Sequence, residues 1–508
     1  MAHKMNLKAA KTVLKRTAVL VLLADILHCY QYLNASKNEE DDQTEQERLA
    51  EDEQILAAYQ SDCNDTAVVS RQEFESRVQQ ALDLIEANGQ DSLKHRLESP
   101  LIKVNREAVI FAGGGRATFM QLAHPFVAAG IRDHSYLQRG VSRRFFNTFK
   151  YVFGMTFGTG PEVVEAAKGV RGLHAKVHGE IEESVGIFSP KARFDANQKD
   201  AMRYVQWTLL DTAVFEYELH VGWLTEAEKD EMARASAKFL LLFGVPVLPG
   251  EENITYKQFK RRLDATLRSK LISVSDTALD TQEYILLPPA PQFAPLMGFV
   301  KWSTLVSLPP RLGFLYGGRM YNTWVDRLFF ALAHGLIRFQ TRLLPGSFRY
   351  LAAYWKMHER VYGPRGMVSN LFSSLSAAIV KLFLAVLMPD RDAEATAAVV
   401  KAIRAKRAPF DKTTGEPLKP YWISAATSGV GGAASFFQPR KVSERMEPCD
   451  GQGEEGGQGE EDGQGEEDGQ GEEDGQGEED SQGCFGLADD AWLVMDALLG
   501  LALNISSL

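Results

Sequence analysis

Apolar side chains recur at helical spacing through most of the chain, and strand-like alternation is scarce. The first clear run, FESRVQQALDLIEANG, lies within residues 72–97 and ends at a glycine stop. From Pro100 to about Gly363, helical runs alternate with short glycine and proline breaks. One break is predicted at Gly222, and the capping pattern TEAE at Thr225 predicts that a new helix begins there. The pattern predicts an all-α fold with one large helical domain over residues 72–390.

The N-terminal segment has the composition of a membrane or targeting segment. Residues 1–16 carry lysine and arginine but no acid, and they precede TAVLVLLADIL, an apolar run of 11 residues that includes Asp25. This run is short for a spanning helix, which needs about 20 apolar residues. We predict an anchor or targeting segment over residues 1–35, with a mitochondrial presequence and a soluble amphipathic helix as alternatives. An acidic linker is predicted over residues 36–71.

The C-terminal third changes composition several times. The apolar run at residues 370–388 holds one charge and predicts a core or interfacial helix. A helical extension is predicted over residues 391–446, and a disordered acidic repeat over 447–483, because glycine-rich polar repeats cannot bury a core. An apolar helix is predicted over residues 484–508.

Charge and cysteine content narrow the functional classes. The formal net charge is -11, but residues 451–480 alone hold ten Glu and four Asp, so the folded body is close to neutral. A nucleic-acid binder would need a basic face, which is not indicated. The chain has four cysteines, none at CxxC spacing, so neither a disulfide framework nor a cysteine metal site is predicted.

The stretch VRGLHAKVHG, from Val170 to Gly179, is the strongest candidate for chemistry. Its spacings of three and four place Arg171, His174 and His178 on one face of a predicted helix. Three interpretations fit this pattern: an axial haem ligand, one arm of a metal site, or a core histidine held by a hydrogen bond. The HExxH order of zinc proteases is absent.

A second block, AGGGRATFMQLAHPFVAAGIRDHS, covers residues 112–135. Its glycines predict a tight turn into a helix that carries Gln121 and His124, because no GK[ST] follows them as it would in a phosphate loop. His124 precedes Pro125 at a predicted helix break, where it faces a cavity or makes a turn contact. His134, near the end of the block, is a further candidate.

Two more blocks place polar side chains in apolar surroundings. In RRFFNTFKYVFG, Arg144 and Thr148 are four residues apart and share a helical face among aromatic residues. A buried arginine needs an anionic partner, such as a haem propionate, a substrate oxygen or a structural carboxylate. In the block at residues 194–250, Asp211 lies beside an apolar face with Trp207 and either bonds a histidine or is solvated or capping.

These blocks, in this order, resemble the MpaB-type and rubber-oxygenase (latex clearing protein) family. The most specific parts are GGGR…QLAHPFVAAGIRDHS, the R-x-x-x-T of Arg144 and Thr148, the R-x-x-H of Arg171 and His174, and the W-x-x-x-D of the fourth block. PPRLGFLYG and RLLPGSFRYLAAYWKMHERVYG resemble the family's C-terminal helices. The resemblance covers roughly residues 105–365.

The resemblance implies a globin-like helical core with extra helices, and haem b as the cofactor. By this resemblance His174 is the proximal iron ligand, and Arg144, Thr148 and Arg171 are catalytic, with Arg144 and Arg171 also holding the cofactor. The implied reaction is oxidative cleavage of an isoprenoid carbon–carbon double bond with dioxygen. The MpaB-like branch implies a small prenylated substrate and membrane association, in the endoplasmic reticulum rather than the mitochondrion.

The distal side departs from the rubber cleavers. Asn147 stands where they carry a lysine, and their distal glutamate has no clear counterpart, so the MpaB-like branch is the closer match. Two alternatives stay open: a non-haem metal oxygenase using His174 and His178 with a carboxylate, and an inactive helical protein of the same fold that binds a lipid or partner. The second-tier site residues are His124, His134, His178 and Asp211.

Overall fold

The structure is a computed structural model that describes residues 2–38, 68–87, 92–134, 141–317 and 323–367, with a few short pieces besides. Side chains are described from Lys15 onward, except those of residues 37–38 and 134–147. The named elements are α1 Ala2–Asn38, α2 Arg71–Glu86, α3 Ser92–Glu98, α4 Pro100–Asn105, α5 Gly114–Leu122, α6 Pro125–His134, α7 Val141–Phe157, α8 Gly160–His174, β1 His178–Glu180, β2 Arg193–Asp195, α9 Lys199–His220, α10 Glu226–Phe239, α11 Tyr256–Arg268, α12 Asp276–Leu286, α13 Ala294–Ser307, α14 Pro310–Gly317, α15 Trp324–Leu343, α16 Gly346–Arg349 and α17 Ala352–Tyr362. Short 3₁₀ turns cover Ala108–Gly113, Leu240–Phe243, Glu251–Asn253 and Pro291–Phe293.

The predicted all-α fold is confirmed, and the described helices form one domain. The acidic linker, the apolar run at 370–388, the helical extension, the acidic repeat and the C-terminal helix lie largely or wholly outside the described residues. The domain boundaries therefore stay a prediction.

Helix α9 is the centre of the fold. Sixteen of its 22 residues are buried, and its apolar side chains join the largest core cluster. It ends at His220, before Gly222, as predicted. The next helix, α10, begins after Thr225, whose side chain and that of Glu228 form a reciprocal capping box. The predicted helix break and capping pattern are confirmed.

The helix predicted through Gly179 is wrong beyond His174. Helix α8 ends at His174, and the chain turns into β1, which pairs antiparallel with β2 so that His178 faces Asp195 and Gly179 faces Phe194. A Cβ on Gly179 would lie 2.9 Å from the Phe194 ring, so only glycine permits this close pairing. The hairpin, with Phe194 buried beneath it, outweighs the helical preference of the stretch.

Helix α1 packs along α15 and also contacts α9. Asp25 binds Arg338 and Arg342, whereas Asn34 accepts from Arg327, so the two helices run antiparallel. The segment Lys15–Ser36 of α1 is also long and apolar enough to cross a membrane. Length and composition alone are weak support for a span, and the predicted anchor or targeting role stays a prediction.

Candidate functional site

Helices α7 and α8 form an antiparallel hairpin around the short turn at residues 158–159. A Cβ on Gly154 would lie 2.9 Å from the Cβ of Ala166, and a Cβ on Gly169 would meet the ring of Tyr151. These two close approaches fix the register of the hairpin. Gly154 on α7 faces Ala166 on α8, and Tyr151 faces Gly169, so the residue numbers of each facing pair sum to about 320.

This register brings two of the predicted motifs to the same end of the hairpin. Thr148 lies level with Gly172, between Arg171 and His174, at the open end away from the turn. The Thr148 side chain is exposed and the His174 side chain is half-buried. Arg144 lies one helical turn before Thr148, so the predicted shared helical spacing is present in α7. The side chains of Arg144, Asn147 and His134 lie outside the described ones.

Arg171 is held by the segment that leads into α2. Its Nη2 donates to the carbonyl of Val69 at 2.6 Å, and its guanidinium lies 5.7 Å from the centre of the Phe74 ring. Its second terminal nitrogen, Nη1, is buried and has no hydrogen-bond partner among the described residues. A buried cationic donor without a partner is costly, so this atom marks a place that an anionic group would fill.

His178 lies apart from the helical face that carries His174. It is exposed in β1 and lines an open cleft of about 380 Å³ together with the side chains of the hairpin, including Glu180 and Asp195. The predicted helical face shared by Arg171, His174 and His178 therefore does not form. In the part of the chain that the structure describes, no group of three His, Cys, Asp or Glu side chains is arranged to hold a metal ion.

His124 is completely buried. Its ring lies 5.8 Å from each of the rings of Phe126, Phe188 and Tyr204, and neither ring nitrogen has a hydrogen-bond partner among the described residues. Burial lowers the pKa of His124 to about 4, against the raising effect of Asp200, so the ring is neutral at pH 7. Its surroundings are those of a core histidine.

Asp211 pairs with cations and not, as one interpretation had it, with a histidine. It accepts from Arg116 Nη2 at 2.7 Å and from Lys260 Nζ at 2.8 Å, and it is 3% exposed. Burial raises the Asp211 pKa, but Lys260 and Arg116 outweigh this effect and bring the pKa down to about 2. Arg116 also donates to Thr212 Oγ1 and to the carbonyl of Ser307. Thus the arginine of GGGR and the aspartate of W-x-x-x-D form one buried ion pair.

A second buried polar cluster was not predicted. Nε2 of His220 and Nδ1 of His334 are hydrogen-bonded at 2.9 Å, and Nε2 of His334 bonds Ser303 Oγ at 2.8 Å. On the other side, Nδ1 of His220 lies 3.1 Å from Oε2 of Glu216, although these atoms are not aligned as a hydrogen bond. Burial raises the pKa of Glu216 to about 7 and lowers those of His220 and His334 to about 3.

Only part of this cluster could have been predicted from the sequence. Glu216 and His220 are four residues apart on one helical face, which a search for polar pairs could have found. His334 lies in an apolar run more than a hundred residues later, and nothing in the local pattern connects it to His220.

Comparison with known protein families finds one family model that matches the part of the chain containing these residues. Residues 103–339 match the model of the family described as ER-bound oxygenase mpaB/B'/Rubber oxygenase, catalytic domain. The match contains α5 to α14, most of α15 and the four motif blocks, so the predicted resemblance is confirmed. The segment RLLPGSFRYLAAYWKMHERVYG, at residues 342–363, lies beyond the match. Residues 103–339 are therefore similar to an oxygenase-type catalytic domain. No curated protein and no solved structure matches the chain.

Proposed function

We propose that this protein is a haem-dependent oxygenase that cleaves or oxygenates a prenyl carbon–carbon double bond with dioxygen. The observation that carries the proposal is the open end of the α7–α8 hairpin, which lies within the family's catalytic domain. There the R-x-x-x-T motif of Arg144 and Thr148 lies level with the R-x-x-H motif of Arg171 and His174.

The donor set at this end fits a haem. A bare metal ion needs three or more protein ligands, whereas an iron held by a porphyrin needs a single axial histidine. His174 supplies one imidazole, and the described residues contain no group of three metal-binding side chains. The buried, unpartnered Nη1 of Arg171, three residues earlier on the same helix, is suited to a carboxylate such as a haem propionate.

Each residue then has a defined task. His174 holds the cofactor through one ring nitrogen and is oriented through the other. Arg171 would hold a haem propionate through Nη1, because its guanidinium is already anchored on the Val69 carbonyl through Nη2. Thr148, exposed on α7, offers a hydroxyl at the substrate side, and Arg144 lies one turn before it. When bound, the haem supplies the redox chemistry with dioxygen.

The aromatic side chains of α7 suit an apolar substrate. Phe149, next to Thr148, is partly buried and packs against Phe153 and Phe111 with ring centres 5.4 and 4.6 Å apart. An apolar chain bound beside Thr148 would meet these apolar side chains. We therefore infer a prenylated small molecule as the substrate, and a protein associated with the endoplasmic reticulum membrane, as the family description and the apolar part of α1 suggest.

An absorbance spectrum tests the cofactor and its ligand together. The full chain should be used, because α1 is packed on the body, and it should be purified in mild detergent. His174→Ala and His178→Ala versions should be purified in the same way. We expect an intense haem band in the parent and in His178→Ala, and its loss or shift in His174→Ala, since His174 lies at the open end of α8 whereas His178 lies in β1. A colourless, iron-free parent would contradict the proposal, as would equal spectra for all three proteins.

A turnover assay tests the reaction. Haem-loaded protein and a prenylated substrate under oxygen should give a carbonyl product, with loss of activity in Thr148→Ala at an unchanged spectrum. A haem-loaded protein that leaves every prenylated substrate intact would favour the inactive binding protein that the sequence left open.

A further inference from the structure

Helix α1 is fixed to the body by a buried charge in the middle of its apolar run. Asp25 is 1% exposed and lies 3.0 Å from Nε of Arg338 and 2.6 Å from Nη1 of Arg342. A carboxylate placed at the centre of a bilayer would be unpaired and costly. The two arginines of α15 instead pair with its Oδ1 inside the protein.

Further polar contacts extend this attachment along the helix. Nε2 of His28 bonds the carbonyl of Glu218 at 2.8 Å, and the Cys29 thiol faces the carbonyl of Leu219 at 3.6 Å. Near the end of α1, Arg327 donates to Asn34 at 2.6 Å. A helix held at several levels by α9 and α15 cannot cross a bilayer unless those helices, and the catalytic domain with them, enter it too.

The outer side of the α1–α15 pair is nonetheless apolar. On α1, Leu20, Leu23 and Leu27 are 66%, 55% and 54% exposed, at spacings of three and four on the side opposite Asp25. On α15 the residues are aromatic or aliphatic: Trp324, Phe329 and Leu332 are 67%, 57% and 42% exposed.

The two apolar stripes form one surface. A Cβ on Gly335 would lie 2.6 Å from Ile26 Cγ1, so the helices touch closely along their length. By helical spacing, Leu23 lies beside Ile26 on α1 and Leu332 lies beside Gly335 on α15, so each stripe borders the line along which Ile26 and Gly335 touch. We call this surface, formed by the outward residues of α1 and α15, the outer face. Contiguous exposed apolar surface of this kind marks a binding site for a protein or a membrane.

The charges at one end of the outer face favour a membrane. Lys15 and Arg16 are exposed, Arg16 lies four residues before Leu20 and so on the same side of α1, and residues 1–16 contain no acid. A helix with a basic segment and an apolar stripe binds in the plane of an anionic bilayer, with lysines at the headgroups and leucines and aromatics below them. Trp324 suits the boundary between headgroups and acyl chains.

We propose that the outer face docks on an anionic lipid surface, so that α1 lies in the plane of the membrane and does not cross it. This inference rests on the proposed membrane association and is independent of the proposed haem chemistry. It places the catalytic domain directly against the leaflet, where an apolar prenylated substrate is dissolved.

Vesicle sedimentation tests the outer face. The full chain is mixed with vesicles of phosphatidylcholine and phosphatidylserine, or of phosphatidylcholine alone. We expect binding to the anionic vesicles that is weakened by salt, and a loss of about tenfold or more in Leu23→Glu and in Phe329→Glu. Leu84→Glu is the matched control, because Leu84 is 46% exposed on α2, outside this face. All variants should keep the parent's thermal midpoint and absorbance spectrum, since these side chains point outward.

Three outcomes would overturn the inference. Vesicle binding that is the same in the parent, the two face variants and the control would show that lipid does not contact the outer face. Membrane-bound protein that resists alkaline carbonate extraction would show that α1 crosses the bilayer. A lipid-free dimer that Leu23→Glu and Phe329→Glu dissociate, in a protein that ignores vesicles, would show that a second copy covers the face. A failure of the haem proposal would appear separately, as a colourless protein that still binds vesicles.

Discussion

The buried ion pair between Arg116 and Asp211 offers the sharpest test of how the fold is held together. Asp211 is 3% exposed, and the Arg116 side chain is 7% exposed. Replacing Asp211 by alanine leaves Arg116 buried without its anion. Breaking a buried pair from one side costs about 3–5 kcal/mol.

The remaining contacts place the expected cost at the lower end of this range. Arg116 keeps its hydrogen bonds to Thr212 and Ser307, and Lys260, which is a quarter exposed, can turn to water or to Asp264, now 3.5 Å away. We therefore expect Asp211→Ala to lower the free energy of unfolding by about 3 kcal/mol.

Chemical denaturation of the full chain, followed by circular dichroism, measures this loss. Glu75→Ala is the control, because the pair of Arg71 and Glu75 is exposed (side chains 90% and 58%) and exposed pairs contribute less than about 1 kcal/mol. A loss for Asp211→Ala below about 1 kcal/mol, no larger than that of the control, would refute the assignment of the buried pair as a main support of the fold.

The pH dependence gives the same prediction a second readout. The native pKa of Asp211, about 2, lies below its ordinary value of 3.8, so the native state binds fewer protons than the unfolded state in this range. The stability that Asp211 supplies is therefore complete above about pH 4 and is lost as the pH falls toward 2. The difference between parent and Asp211→Ala should shrink by roughly 2 kcal/mol over this interval. A difference that stays constant would mean that the charge of Asp211 is not what stabilises the native state.

Three further substitutions test other buried groups and one helix start. Burial raises the pKa of Glu216 to about 7 from 4.5, so the native state loses stability as the pH rises between these values. Denaturation curves of Glu216→Gln should therefore show its stability gaining roughly 2 kcal/mol relative to the parent between pH 5 and 8. Burial lowers the pKa of His124 to about 4 from 6.5, so the native state loses stability as the pH falls between these values. In His124→Leu the free energy of unfolding should therefore fall less steeply with decreasing pH, by up to about 1.4 kcal/mol per pH unit. A pH-independent effect of either variant would contradict these assignments. Ser70→Ala removes the capping side chain of α2 and should cost about 1 kcal/mol at any pH, whereas no change in the denaturation midpoint would show that the cap is dispensable.

Local features of the fold could be predicted because their causes are local. The capping box at Thr225 and the end of α9 before Gly222 depend on residues within a few positions of each other. The helical content depends on apolar periodicity, which is also readable from a single segment. These features need no knowledge of what the helix packs against.

The histidine stretch shows where this reasoning fails. The spacing of His174 and His178 fits a helix, and the flanking residues favour one, yet the chain leaves the helix after His174. The cause lies in Phe194, sixteen residues after His178, which pairs with Gly179 and is buried there. A contact of this kind cannot be seen in the periodicity of the stretch itself.

The interaction partners of buried polar residues could not be predicted from the sequence either. Asp211 was singled out for its place beside an apolar face, but its partners are Arg116 and Lys260, which lie 95 residues before it and 49 residues after it. His220 and His334 are 114 residues apart and meet only because α15 packs across the end of α9. Such pairs follow from tertiary packing, and the sequence pattern supplies only the polar residues that packing then brings together.

The family's motifs therefore divide into two physical roles. The arginine of GGGR and the aspartate of W-x-x-x-D form a buried ion pair at the centre of the domain, so their presence supports the fold. The motifs to which we assign the chemistry in our proposal are the two at the open end of the α7–α8 hairpin, where Thr148 lies level with the segment from Arg171 to His174. A relative that kept the ion pair and lost His174 is expected to fold like this protein, but it would lack the imidazole that we propose as the haem ligand. For this reason the two variants test different things. The stability of Asp211→Ala tests what holds the fold together, and the spectrum of His174→Ala tests the proposed haem ligand.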